Sequence, residues 1–346
     1  MDGRQISPSC HSGNGRAKPV QRASPAMQPD RSGPETISFF LVPQFSMMAF
    51  TAAVEPLRSA NRMSGCELYN WKVYSRDGQP VAASNGLQVI ADAGIADVDH
   101  CATIFVCSGI DAHRFDDRSV YAWLRKLARQ GARVGSLCTG SHILARAGLL
   151  NGYRCTIHWE DLETFQEAFP DIEVTDDIYE LDRNRVTCSG GTASLDLMLH
   201  LVGMSHGQEL AGKVSEQFIH DRIRDAHDHQ RMALQSRVGV SDPKLLAAIA
   251  EMEKNLEETL ALPDIADSVG LSTRQLERLF KKHLGRTPSR YYREIRLNQA
   301  RMMLMQGTSS ILAIALASGF VSASHFSRRY REYFGRTPRE ERRSVG

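Results

Sequence analysis

Three unbroken apolar runs mark the first half of the chain: ISFFLVPQF (37–45), ATIFVCSG (102–109) and VGSLC (134–138). Runs of this length suit strands buried on both faces of a sheet. Between them, residues 47–63 and 119–129 carry apolar positions at helical spacing. Strands alternating with helices predict a doubly wound α/β domain with a mainly parallel sheet, whose ligands bind beyond the carboxyl ends of the strands. A last helix over 208–224 closes this domain, read as residues 36–225. Residues 226–243 are polar and weakly periodic and predict a linker. Residues 1–35, rich in Pro, Ser, Gly and Arg, predict a disordered tail. No stretch has the apolar run of a signal peptide or a bilayer span, so the expectation is a soluble, cytoplasmic protein with no membrane partner.

From residue 244 the pattern turns wholly helical and repeats itself. Residues 265–288 read IADSVGLSTRQLERLFKKHLGRTP, and residues 314–338 read IALASGFVSASHFSRRYREYFGRTP. Each copy parses as helix, turn, helix. In the first, Pro263 and Asp264 open a helix carrying Ile265, Ala266 and Val269, and Gly270 ends it by accepting the left-handed conformation of a C-cap. Ser272 caps the second helix, with Gln275 completing a capping box. Leu276, Leu279 and Phe280 face inward there, leaving Arg274, Gln275, Arg278 and Lys281 outside. In the second copy Gly319 and Ser322 play the same parts. Phe326 and Tyr330 face the core, and Ala323, Ser324, His325 and Arg328 face out. A helix over 291–305, apolar at Ile295, Leu297, Met302 and Leu304, fixes the spacing of the two units. Held so, two reading helices can enter successive major grooves about 34 Å apart.

Charge supports that partner. The net charge of +2 conceals an asymmetry, because from Gly270 onward 16 Lys and Arg stand against 5 Asp and Glu. A basic third built from paired helix-turn-helix units points to double-stranded DNA. The Gly270-Leu271-Ser272 turn, Leu276-x-x-x-Phe280-Lys281, Gly319-Phe320, Phe326-x-x-x-Tyr330 and both Gly-Arg-Thr-Pro ends resemble the DNA-binding domain of the AraC/XylS family over 244–343. The resemblance implies base readout by Thr273, Arg274, Gln275 and Arg278, and by Ala323, Ser324, His325 and Arg328. Lys281 and Lys282 read as phosphate contacts. It also implies a homodimer that activates transcription from an operator by contacting RNA polymerase.

Seven cysteines, odd in number, scattered and without a C-x-x-C pair, argue against a disulfide framework or a zinc site. No metal or cofactor is expected. Cys138 is set apart by its place: SLCTGSHILARAGLL (136–150) runs a strand into Cys138, then Thr139-Gly140, then a helix ending near Gly148. A side chain at such a turn projects over the sheet edge as in a nucleophile elbow, and helix N-terminal amides are expected to lower its thiol pKa.

This segment, with Ala147-Gly148-Leu149-Leu150-Asn151-Gly152, Thr156-Ile157-His158-Trp159 and Gly190-Gly191-Thr192-Ala193-Ser194-Leu195-Asp196, resembles the class I glutamine-amidotransferase-like superfamily, flavodoxin-like in fold. That superfamily includes the PfpI peptidases and isonitrile hydratases. The whole chain from about 36 resembles the GlxA-type subgroup of AraC regulators. Two departures from the enzymes matter. Thr139 stands where the peptidases place a His, and Ala49 where the enzymes carry an acidic residue on the first helix. Cys138 then has no evident base, His142 reads as a helix-surface residue, and no residue is assigned a catalytic role. The expected role is a sensor that kept the pocket and lost the chemistry. An active cysteine hydrolase or isonitrile-hydratase-like enzyme fused to a DNA-binding domain is the alternative.

Residues 49–65 and 75–87 resemble regulators of quaternary-amine (glycine betaine, carnitine) and arginine catabolism, which implies a quaternary amine or amino acid as effector. Its candidate pocket is Glu55, Cys138, Thr139, His158 and Trp159, in which a carboxylate and an aromatic face suit an ammonium group.

Overall fold

A computed structural model describes residues 33–306 and 309–343. The predicted tail lies outside the described residues except for its end, where the first strand starts at Glu35, one residue earlier than expected. The strands are β1 (Glu35–Leu41), β2 (Tyr69–Ser75), β3 (Val81–Ala82), β4 (Gln88–Val89), β5 (Ala93–Gly94), β6 (Thr103–Cys107), β7 (Arg133–Leu137), β8 (Arg154–Thr156), β9 (Glu173–Thr175), β10 (Tyr179–Asp182) and β11 (Arg185–Cys188). Seven form one sheet in the order β10-β11-β7-β6-β1-β2-β5, parallel throughout except where β10 meets β11. Helices α1 (Met47–Ser64), α5 (Ala193–His206) and α6 (Gln208–Gln217) cover one face; α2 (Arg118–Arg129), α3 (Ser141–Arg146) and α4 (Leu162–Ala168) cover the other. Strand pleating sends Phe39 and Phe105 into the first layer and Phe40, Ile104 and Val106 into the second, which is why apolar residues occupy both faces of these strands. This is the doubly wound α/β fold the pattern predicted.

Two expectations need correction here. The helix predicted over 208–224 ends at Gln217, and the chain beyond it is held by polar contacts instead. Arg224 bonds the fully buried Asp196 carboxylate through Nε at 2.9 Å and Nη2 at 2.7 Å, and the Ala226 carbonyl accepts from the Ile178 N–H. The 226–243 stretch, expected as a linker, is ordered from both sides. Gln230 Nε2 donates to the carbonyls of Ile157 and Asp177, each at 2.9 Å, while α7 (Leu234–Val238) and Val240 pack into the helical core that follows. Polar ties leave no apolar period, so the pattern could not reveal this order.

The C-terminal helices are α8 (Pro243–Lys254), α9 (Leu262–Ser268), α10 (Thr273–Leu284), α11 (Pro288–Gln306), α12 (Ile311–Ala317), α13 (Ala323–Phe334) and α14 (Pro338–Arg343). They make two small cores, one around Ile249, Leu276 and Phe280 and the other around Ile314, Phe326 and Tyr330. Helix α11 belongs to both: Tyr292 enters the first core, and Leu297 and Leu304 enter the second. The repeated Gly-Arg-Thr-Pro resolves into four local jobs. Gly285 and Gly335 take positive φ to end α10 and α13, and Thr287 and Thr337 cap the next helix. Pro288 and Pro338 start those helices, and Arg286 and Arg336 pair with the buried carboxylates of Glu294 and Glu341.

Candidate DNA interface and effector pocket

Helix α10 is fixed by the capping box that the sequence predicted. The Gln275 N–H donates to Ser272 Oγ at 3.3 Å, and Gln275 Oε1 accepts from the Ser272 N–H at 2.8 Å. The Gln275 carbonyl is therefore committed to the cap, leaving its NH₂ for other work. Arg274, Arg278, Lys281 and Lys282 are exposed, Thr273 is half-buried, and Arg274, Arg278 and Lys281 line one shallow groove along the helix. On α13, Ser324 and Arg328 are exposed while Ala323 and His325 are half-buried. The His325 ring leans on Phe320 at 5.9 Å and accepts from Arg329 Nε at 3.5 Å, so it is held toward the turn.

At the elbow, Cys138 has φ +61, the strained backbone of a nucleophile turn. Gly190 makes this possible, because a Cβ there would stand 2.6 Å from Cys138 Cβ. The thiol itself departs from expectation. Cys138 is 9% exposed, and burial, reinforced by the Asp161 carboxylate, pushes its pKa up from 9.0 to about 12. Helix amides were expected to lower it. Instead the turn enters a 3-10 segment over Cys138–Gly140 and then the short α3, and desolvation outweighs any help from so brief a helix. Thr139 is also turned away from chemistry, since its hydroxyl donates to the Gly109 carbonyl at 2.5 Å.

His142, expected on a helix surface, is buried against Phe165 with Nε2 3.3 Å from Asp161 Oδ1. His158 sits beside the elbow: its N–H donates to the Cys138 carbonyl at 3.4 Å, and Nδ1 lies 3.7 Å from Glu160. Trp159 follows it, 38% exposed. Glu55 stands apart on α1, where its carboxylate pairs with Arg58 at 2.6 Å. No hydrogen bond or ion pair among the described residues joins Glu55 to Cys138, His158 or Trp159.

Asp161 and His113 were missed in the sequence. Asp161 is buried, lies 3.3 Å from His142 and acts electrostatically on the Cys138 thiol, and His113 is buried with neither ring nitrogen hydrogen-bonded, its pKa lowered by burial. The one available signal for Asp161 was its place three residues after His158. Among the described cysteines five are buried and Cys66 is exposed.

Residues 265–344 match the helix-turn-helix domain family, and residues 35–204 match the DJ-1/PfpI family. The chain belongs to the AraC-type helix-turn-helix transcriptional regulators that carry a DJ-1/PfpI domain, and it is a DNA-binding transcription regulator. Among its relatives, the HTH-type transcriptional regulator GbdR of Pseudomonas aeruginosa is 49% identical over 319 residues, 92% of this chain and 87% of that one. CdhR of the same species, also an HTH-type transcriptional regulator, is 47% identical over 304 residues, 88% of this chain and 90% of the other. In fold, the chain is similar to a THiJ/PfpI family protein from Pseudomonas syringae, with TM-score 0.50 and 23% identity over 72% of this chain and 98% of that one. Among the described residues no helix is long and apolar enough to cross a membrane.

Proposed function

We propose that this regulator reads its operator through the outer faces of α10 and α13 as a cytoplasmic homodimer. A small amine or amino-acid-derived metabolite, bound in a catalytically silent α/β domain, sets its activating contact with RNA polymerase. Residues 36–225 form the sensor, 244–343 the reader, and 226–243 connect them. The observation that carries the sensor reading is the state of Cys138. A cysteine nucleophile needs thiolate character and a base. Here burial and the neighbouring carboxylate of Asp161 both oppose ionisation, and Ala49 offers no carboxylate on the first helix. The cysteine-hydrolase alternative keeps only the strained elbow in its favour. His158 and Trp159, beside the elbow and partly open, suit the effector better than Glu55, which is engaged with Arg58.

Arg278 and Arg328, each exposed on its reading helix, carry the DNA assignment. Each is expected to contribute about 1–3 kcal/mol if it contacts a base edge. Fluorescence anisotropy with the operator tests this: Arg278→Ala combined with Arg328→Ala should abolish preference for the operator over random DNA. Retained preference would mean that other residues read the sequence.

A further inference from the structure

Arg185 opens β11 at the amino end of the sheet, the end opposite the Cys138 elbow. It is 6% exposed and has no ion pair among the described residues. Its Nε donates to the Leu149 carbonyl at 2.6 Å, and Nη1 donates to the Asn184 carbonyl at 3.2 Å. Nη2 makes no hydrogen bond among the described residues, and the side chain lines an open cleft of about 370 Å³. A buried charge ordinarily has a charged partner, because losing water is costly. Burial pulls the Arg185 pKa down, Tyr153 opposes the shift and Arg183 adds to it, with no carboxylate acting on the group.

The other walls carry charge of the same sign. Arg125 and Arg129, four residues apart on α2, are exposed on this cleft, and neither has an ion pair among the described residues. Arg125 reaches only the Ala147 carbonyl, at 3.4 Å, and Arg129 makes no side-chain hydrogen bond. Like charges one helical turn apart oppose each other. The carbonyls ending α2 favour a cation at that terminus, but they explain neither a third guanidinium nor its burial. Three arginines and no carboxylate line the cleft. Tyr153 stiffens it, with Arg185 4.7 Å from the ring centroid and Arg183 3.7 Å. The Tyr153 hydroxyl donates to Asn184 Oδ1 at 3.1 Å, which turns the Asn184 amide into a further donor facing the cleft.

We propose that this cleft is a second ligand site, one that takes a small multivalent oxyanion, a phosphoryl group or a polycarboxylate, on the guanidiniums of Arg125, Arg129 and Arg185. Planar guanidinium forks match such oxygens in pairs. Arg185 is reached only inside a concave cleft, which suits a small anion better than the backbone of a duplex. The site is separate from the elbow: Arg185 pairs with Val134 and Cys188 with Leu137, so roughly 10 Å of strand lies between them. Helix α3 spans the same gap, starting at Ser141 beside the elbow and running into residues 147–149, which wall the cleft. The inference does not depend on what the elbow binds.

The test titrates the full-length protein with pyrophosphate and with citrate, using sodium chloride at equal ionic strength as the control. At least one of the two anions should raise the melting temperature beyond the control. The tighter of them in calorimetry tells a phosphoryl site from a carboxylate site. Arg129→Ala, which has no hydrogen bond to lose, should weaken binding about tenfold, and Arg129→Glu should abolish it. Arg185→Gln should abolish it too; should that variant fail to fold, Arg129→Glu decides. The inference is overturned if neither anion exceeds the salt control, or if binding survives Arg129→Glu. If no small anion binds while Arg129→Glu weakens affinity for all DNA sequences alike, the arginines hold a duplex backbone and the small-anion site is overturned.

Discussion

Arg296 on α11 stands 4.4 Å over the Phe320 ring while its Nε donates to the Ser318 carbonyl at 2.8 Å. A second guanidinium N–H reaches the Gly319 carbonyl. One residue of the shared helix thus grips the turn of the second helix-turn-helix unit. Gly319 is closed in from the other side: a Cβ there would lie 2.5 Å from the Leu256 carbonyl oxygen and 2.8 Å from Thr259 Cγ2. The spacing of the two helix-turn-helix units is therefore set by packing on both sides of one turn. Arg296→Ala should lower stability by about 1.5–3 kcal/mol, the worth of charge-assisted bonds, and weaken operator binding as the readers lose alignment. Urea denaturation and operator titration of the same variant check this. Intact operator affinity would show that the grip does not set the reading geometry.

Base and phosphate contacts should separate by salt. Lys281 and Lys282 are exposed on the last turn of α10, away from the N-terminal positions proposed to read bases. Alanine at either should weaken all sequences alike and flatten the slope of log affinity against log salt by about one. Arg278→Ala should instead erode the preference for the operator. A lysine variant that changes preference without changing the slope would exchange these roles.

Cys138 should be a poor nucleophile. Iodoacetamide at mildly alkaline pH should label exposed Cys66 first, with Cys138 following only on unfolding, as read by peptide mass spectrometry. Cys138→Ser should keep the effector response, and the purified wild type should show no amidase or isonitrile hydratase turnover. The linkage has a definite sign. The folded thiol holds its proton more tightly than the unfolded one, so its contribution is complete below 9.0 and fades as pH climbs toward about 12. Above pH 9.0 the wild type should therefore lose more stability than Cys138→Ser.

Helices α10 and α13 were legible as helix-turn-helix elements because their chemistry is local. Ser272 with Gln275, Gly270 and Gly285 act within a few residues of themselves, and the repeat doubled each signal. The elbow was legible as a turn for the same reason. Its electrostatics were not, because the burial and Asp161 that govern the thiol come from elements distant in sequence. His142 shows the limit of polarity patterns. Ser141 and His142 look like a solvent face, yet their polar atoms are satisfied inside by the Thr156 carbonyl and by Asp161. The same holds for 218–230, where polar side chains make a strap that carries no apolar period.

Asp196 anchors that strap. Its carboxylate is fully buried and receives His220 Nε2 at 2.9 Å, the Arg224 N–H at 2.7 Å and the Arg224 guanidinium. Removing one partner of a buried pair leaves the other uncompensated, at about 3–5 kcal/mol. Asp196→Ala should destabilise the α/β domain on that scale and expose 218–230 to proteolysis. Limited trypsin digestion at Arg222 and Arg224 reads it directly, and undiminished protection would mean that other contacts hold the strap.

The reader's own boundary can be tested in the same way. A fragment starting at residue 244 loses the Asp242 side chain that accepts from the N–H groups of Lys244 and Leu245, a cap worth about 1 kcal/mol. It also loses buried Val240, the half-buried Leu234 and Val238, and the Arg237–Glu253 pair at 2.7 Å. Fragment 233–343 retains them all. It should therefore unfold at a clearly higher temperature than 244–343. It should bind operator more weakly than the full-length protein, because the α/β domain and any dimer contact it makes are gone. Since residues 36–225 are missing, its affinity should not change with any small molecule that shifts the full-length protein. The decisive comparison is operator affinity of fragment and full-length chain, each with and without the same compound. A fragment that still responds would put the effector pocket among the helices α8 to α14 and would remove the sensor role from residues 36–225.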